Sequence, residues 1–222
     1  MDASTPLISK LLQGRAYFKG GILMNTAAQR NKTFSTPYLT RMALLVAVAS
    51  ILFLIEIPIV AFYKLDLSII PVLMGAFSMG TLPGVIILAL KDLIGLMHSS
   101  SAGIGELADF IMGCAIVVPA SVIYHRNKTK KTALLGMAVG TLCMIVAAVF
   151  VNKFIMLPFY MGAFHMDMDA IIAFANVSFV DSEWKLLLLI TAPFNLLKGV
   201  VLSFVTSLIY KPLSPLLHAR VD

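Results

Sequence analysis

The sequence predicts an all-α membrane protein of six transmembrane helices with both termini in the cytoplasm. Three observations carry this. First, the 222 residues are 59% hydrophobic and only 13% charged, with a mean hydropathy of +0.94; a soluble domain carries roughly twice that charge. Second, the apolar residues form long blocks separated by charge, not the residue-by-residue alternation of a membrane β-barrel. Third, the basic residues are concentrated in alternate connecting segments, as expected for loops retained on the cytoplasmic side.

Residues 1–36 are polar and basic, and "GGILM" is too short for a signal-peptide core. Thr5 is a candidate N-cap with Pro6 at the first helical position, and Leu7, Ile8, Leu11 and Leu12 share a face. This segment reads as a short amphipathic helix on the inner membrane surface or as a disordered tail. The first span runs from Tyr38 to Ile57, where Pro58 ends it. The loop "VAFYKLDLS" follows, with Lys64 and Asp66. The stretch "IIPVLMGAFSMGTLPGVIILALKDLIGLM" reads either as one span over 69–90 or as two short helices meeting at "GTLPG".

Charge decides between these readings. The next span, Ile104 to Tyr124, leads into Arg126, Lys128, Lys130 and Lys131, while the N-terminal segment holds Lys10, Arg15, Lys19, Arg30, Lys32 and Arg41. Both basic segments stay inside only if an even number of helices lies between them, so the ambiguous stretch counts as two. Gly80, Pro83 and Gly84 supply the break. Helices two and three then have about 13 residues each, ~20 Å against a ~30 Å hydrocarbon core. Short helices interrupted by Gly and Pro often border a cavity.

The fifth span runs from Ala133 to Leu157. A long loop, 158–184, carries Asp167, Asp169, Asp181 and Glu183; Trp184 and Lys185 mark an interface; and the sixth span runs from Leu186 to Tyr210. The membrane domain is thus 37–211, with a cytoplasmic tail over 212–222. Of 17 basic residues, 12 fall in cytoplasmic segments, Lys64 and Lys185 lie outside, and Lys91, Lys153 and Lys198 fall within spans. The net charge of +6 therefore reflects topology and contact with anionic membrane lipid, not nucleic acid.

Other chemistries find no support. Cys114 and Cys143 sit in apolar blocks and read as free thiols, with no metal-ligand spacing around them. There is no phosphate-binding G-x-x-x-x-G-K-[ST] loop, no H-E-x-x-H and no G-x-S-x-G. All four histidines (98, 125, 165 and 218) fall in loops or at helix ends, leaving no nucleophile–base set. The chain reads as neither an enzyme nor a cofactor carrier.

The polar residues inside the apolar blocks carry the functional signal. A charge near the bilayer centre costs ~2.5–3.5 kcal/mol on insertion scales, so it faces an interior site or a partner. Glu106 and Asp109 open the fourth helix, where carboxylates also complement the helix dipole. Lys91 and Asp92 are adjacent, about 100° apart in phase, so they should pair poorly with each other; one of them can snorkel outward. Lys153 lies late in the fifth span and can snorkel too, while Asn152 beside it can bond another helix. Asn195 and Lys198 in "NLLKG" are three apart, on one helix face deep in the sixth span. Lys198 has about 12 apolar residues on either side, which puts it beyond the reach of snorkelling. It either contacts a ligand or forms an ion pair with Asp92 or Asp109. Ala43 and Ala47, four apart on the first helix, permit close helix contact, although spacing alone favours internal packing.

Three of these pieces, "YKLDLSIIPVLMGAFSMGTLPGVIILALKDLIGLM", "GELADFIMG" and "APFNLLKG", resemble the substrate-binding S components of energy-coupling factor (ECF) transporters, specifically the riboflavin-specific type. The likeness covers most of residues 38–211. It implies a six-helix vitamin-binding subunit in the plasma membrane of a prokaryote, without ATPase activity, that joins a transmembrane T component and two ATPase subunits. Riboflavin would be the transported ligand, bound near the outer side under the loop after helix one and the loop between helices five and six. The resemblance places Asn195 and Lys198, with Asn152, at the ligand. Lys91, Asp92, Glu106, Asp109, Lys64 and Asp66 are further ligand-site candidates. Ala43 and Ala47 match the A-x-x-x-A through which S components dock on the T component. An S component for another vitamin, or a self-sufficient proton-coupled carrier using Asp92, Glu106 or Asp109, are the alternatives.

Overall fold

A computed structural model of the chain describes residues 35–60, 63–99, 101–175, 177 and 180–218. The expected amphipathic helix within 1–36 and the end of the tail lie outside these residues. By its internal contacts the chain divides into two compact units, 1–41 and 42–222. The described part of the first unit is the start of helix α1, Thr36–Leu54. The rest of α1 and the elements that follow belong to the second unit.

Among the described residues five helices are long and apolar enough to cross a membrane: α1, α3 (Thr81–His98), α4 (Ile104–Asn127), α5 (Lys130–Ala163) and the helix that begins at Glu183. The last, α7, continues over 183–218. A shorter apolar helix, α2 (Ile69–Met79), joins them, and α6 (Met168–Ala175) lies in the long loop. Large apolar side chains such as Ile51, Leu142, Phe154 and Phe204 are more than half exposed, a surface suited to lipid rather than water.

The segment before α2 differs from expectation. α1 ends at Leu54, and Ile57–Val60 (β1) pairs antiparallel with Tyr63–Leu65 (β2), Pro58 lying opposite Lys64. β-Branched Ile57, Ile59 and Val60 favour extended backbone, and Pro58 is tolerated because a two-stranded ribbon leaves unpaired edges. Among the described residues the hairpin is the one strand pairing beside the helices.

The break between α2 and α3 falls where the sequence placed it. Gly80 takes φ +119, a conformation that side chains with a Cβ rarely adopt. Pro83 sits in the first turn of α3, where no backbone donor is needed. Gly84 serves packing instead: a Cβ there would lie 2.5 Å from Cβ of Ala76. The two helices are not the expected equal pair. α2 has 11 residues, nine of them buried, so neighbouring helices rather than lipid surround it. α3 has 18 residues, ~27 Å at 1.5 Å per residue, which nearly matches the hydrocarbon thickness.

Two helices contain a π turn, Asn152–Met156 in α5 and Leu187–Thr191 in α7. Each ends two residues before a proline, Pro158 and Pro193. Proline lacks an N–H and its ring crowds the carbonyl one turn back. A wider turn at that point relieves the clash and lets the helix continue. α5 therefore runs six residues past the expected end at Leu157.

Candidate functional site

A cavity of about 190 Å³ opens between the hairpin and helices α1, α4, α5 and α7. Each element delivers particular groups to it. β2 contributes Tyr63 and Lys64, and the following turn contributes Asp66, whose carboxylate accepts from the N–H (3.0 Å) and the hydroxyl of Ser68. That Asx turn starts α2 and fixes the carboxylate at the cavity floor. The first two turns of α4 contribute Glu106 and Asp109, and the π turn of α5 contributes Asn152. α7 contributes Phe194, Asn195 and Lys198.

Lys198 donates to Asp66 Oδ2 at 2.8 Å and to Asp109 Oδ1 at 3.5 Å. Asp109 in turn accepts from Lys91 at 2.5 Å. Lys91 is fully buried, also donates to Ser68 Oγ at 3.3 Å, and lies 4.1 Å from the Phe53 ring centroid. Asp92 Oδ1 is 2.7 Å from the Lys91 ammonium, so these neighbours do approach, contrary to the sequence argument. The flexible four-carbon stem closes a gap that helical phase alone would leave open. Neither Asp92 oxygen accepts a hydrogen bond, however. Lys91 and Asp92 are behind the cavity wall rather than on it.

Asn152 and Asn195 each donate one amide hydrogen to the carbonyl four residues back, Ala148 (2.8 Å) and Thr191 (2.9 Å). The π turns hold Asn152 and Thr191 at the Tyr63 hydroxyl, which donates to Asn152 Oδ1 at 3.3 Å and is hydrogen-bonded to Thr191 Oγ1. The Tyr63 ring packs on Phe194 with centroids 5.1 Å apart. Burial pushes the Tyr63 phenol up to about 12, with the Thr191 hydrogen bond acting in the opposite direction. Glu106 accepts from Ser99 at 2.8 Å, and the same Ser99 oxygen accepts the Gly103 N–H at 2.9 Å, bracing the α3–α4 turn. The arrangement offers amide and ammonium donors, carboxylate acceptors and aromatic walls, but no activated nucleophile.

The family profile described as "ECF transporter, substrate-specific component" matches residues 37–210. The chain belongs to the S components of ECF transporters. This S component is 28% identical over 190 residues to the riboflavin transporter RibU of Staphylococcus aureus strain TCH60, a match covering 84% of this chain and 92% of that one. It is 30% identical over 184 residues to RibU of Lactococcus lactis subsp. cremoris strain MG1363 (75% and 88% covered). It is 26% identical over 180 residues to the riboflavin transporter FmnP of Bacillus subtilis strain 168 (78% and 90%). Among solved structures it resembles the S component of a bacterial ECF transporter, with a TM-score of 0.64, 26% identity, and coverage of 82% of this chain and 98% of that one. With five apolar helices of spanning length, it is a multi-pass membrane protein.

Of the sequence candidates, Lys64, Asp66, Glu106, Asp109, Asn152, Asn195 and Lys198 line one cavity. Ala43 and Ala47 are exposed on the opposite kind of surface, the outer face of α1. Lys153 sits away from the cavity, 3.6 Å from the Trp184 ring centroid and 3.5 Å from Glu183. Sequence reasoning missed Tyr63, Thr191 and Phe53. An aromatic beside the "KLDLS" loop was the available signal for Tyr63; Thr191 and Phe53 had none.

Proposed function

We propose that this S component binds riboflavin on the outer side of the membrane and delivers it inward with a T component and two ATPase subunits. The observation that carries this is the convergence of Asn152, Asn195 and Lys198 on one aromatic-walled cavity. Riboflavin is neutral, with a flat apolar ring system edged by donors and acceptors and a polyhydroxyl tail. Apolar walls with a few placed amides and one ammonium suit such a ligand. The riboflavin transporters among its relatives support the assignment.

At about 190 Å³ the cavity is smaller than the ~300–1,000 Å³ typical of drug-sized ligand sites. Riboflavin entry therefore requires the hairpin and α6 to shift outward and then close over the ligand. α2 counts as the sixth helix of a domain whose termini are both cytoplasmic, the orientation that keeps its basic segments inside. Residues 1–36 form a separate cytoplasmic segment. Ala43 and Ala47 present a small-residue face of α1 to the T component, and energy comes from the partner ATPases.

The test is flavin quantification of the detergent-purified chain, followed by fluorescence titration. Bound riboflavin, or nanomolar-range affinity that weakens about 10- to 100-fold in Asn195→Ala, supports the reading. A folded chain that binds no riboflavin removes the vitamin assignment and sends the search to other vitamins. Uptake into vesicles lacking any partner subunit identifies a self-sufficient carrier instead.

A further inference from the structure

The ion-paired group beside the cavity has an odd number of charges. Asp66, Asp92 and Asp109 face Lys91 and Lys198, three carboxylates against two ammoniums. The three acids are not held alike. Asp66 accepts from Ser68 twice and from Lys198; Asp109 accepts from Lys91 and Lys198. Asp92 is only 6% exposed, and neither of its oxygens accepts a hydrogen bond. Lys91 directs its hydrogen bonds to Asp109 and Ser68, not to Asp92. Its ion-pair partner, the Lys91 ammonium 2.7 Å from Oδ1, is shared with Asp109, and a buried carboxylate that accepts no hydrogen bond is costly to keep ionised. One proton on Asp92 removes that charge and balances the group at two against two.

We propose that Asp92 is a proton-binding site, and that ligand engagement of Lys198 drives proton uptake there. The second half rests on the riboflavin reading above. The groups that act on Asp92 are Lys91 on its own helix, Asp109 and Cys114 on α4, and Asp66 from the turn before α2. Lys198 acts on it through Asp109. A ligand carbonyl that takes one donor of Lys198 draws that ammonium away from Asp109. Asp109 then relies more on Lys91, and Lys91 offers less to Asp92. Filling the cavity also removes solvent from the same group. Both effects raise the proton affinity of Asp92, so riboflavin binds more tightly as pH falls through its titration, by at most about tenfold per pH unit for one linked proton.

Two measurements decide this. The first is infrared titration of the ligand-free protein carrying ¹³C-labelled aspartate. A protonated-carboxyl band shifted by the label, and absent in Asp92→Asn, is expected; no such band at any pH where the protein stays folded overturns the proton site. The labelled wild type answers this even if the variant does not fold. The second is calorimetry of riboflavin binding in buffers of different ionisation enthalpy. Proton uptake in the wild type, lost in Asp92→Asn and restored in Asp92→Glu, is expected. Binding with no uptake, or uptake that persists in Asp92→Asn, overturns the linkage. If riboflavin does not bind at all, the functional reading and the linkage fall together, while the infrared titration still decides the proton site.

Discussion

In the half of the protein around Gly80, Tyr124 and Gly140, helices meet backbone to backbone; in the half around the cavity they meet through charges. A Cβ added to Gly136 would lie 2.6 Å from the Ala120 carbonyl oxygen, and one added to Gly140 would lie 2.5 Å from that of Ile116. The carbonyl of Ala76, near the end of α2, accepts from Ser121 at 3.0 Å and lies 2.8 Å from His125 Nε2. The Tyr124 and Tyr210 hydroxyls are 2.8 Å apart. No ion pair joins helices there among the described residues. Around the cavity the spacers are instead Lys91, Asp109 and Lys198, long or charged groups that hold helices apart and leave space between them. Gly199 marks the border: it follows Lys198, yet a Cβ on it would come 2.6 Å from Thr141 Oγ1. Close packing makes one half a fixed base; the charged half exchanges partners more readily because each ammonium already serves two acceptors.

The comparison can be broken most severely at Lys198. Lys198→Ala leaves Asp66 without its ammonium and Asp109 with Lys91 as its remaining cation, and removing one member of a buried pair costs about 3–5 kcal/mol. Riboflavin affinity should fall by roughly 100-fold or more, read by fluorescence titration, with a lower melting temperature. Wild-type affinity in folded Lys198→Ala would show that the charge only braces the fold.

Gly140→Val attacks the other half. Its Cβ meets a backbone carbonyl that cannot swing aside like a side chain, so a cost near the upper end of about 1–3 kcal/mol follows. Melting should drop by roughly 5–10 °C, while the folded fraction keeps the wild-type Kd for riboflavin. A weaker Kd in that fraction would mean the two halves are coupled.

Tyr63→Phe is smaller, about 1 kcal/mol for one hydroxyl, and sharpens the role of the bridge between the two π turns. Its pH signature is specific. The folded value near 12 stands above the ordinary 10, so the neutral phenol's contribution is complete below pH 10 and is lost as pH rises toward 12. Unfolding measured across that window should be flatter in Tyr63→Phe than in the wild type.

Asp181→Asn should do least. Its carboxyl is held below its ordinary range by the hydrogen bond from Lys185 at 2.6 Å, but it is fully exposed, where solvent and salt screen the pair. No resolvable change in melting or riboflavin binding is expected, and a clear loss would place this exposed turn within the moving part of the site.

Much of this was legible in the chain itself. The bilayer demands ~20 apolar residues for each full crossing and satisfied backbone groups throughout, so hydropathy blocks and basic loops place helices in one dimension. The break at Gly80 was visible because only glycine takes that φ readily, and Lys198 stood out because charge in an apolar span always needs a reason. The helix lengths were harder: "GTLPG" marks a break without saying that α2 is enclosed by protein and so need not cross. Pro158 and Pro193 were visible, but not the π turns that accommodate them. What only the tertiary structure decided is who meets whom. Asp66 and Lys198 are 132 residues apart, and Tyr63 reaches Asn152 and Thr191 across 89 and 128. Sequence periodicity orients a side chain about its own helix axis; which partner it finds depends on how separate helices cross, and that is set by the packing of the whole domain.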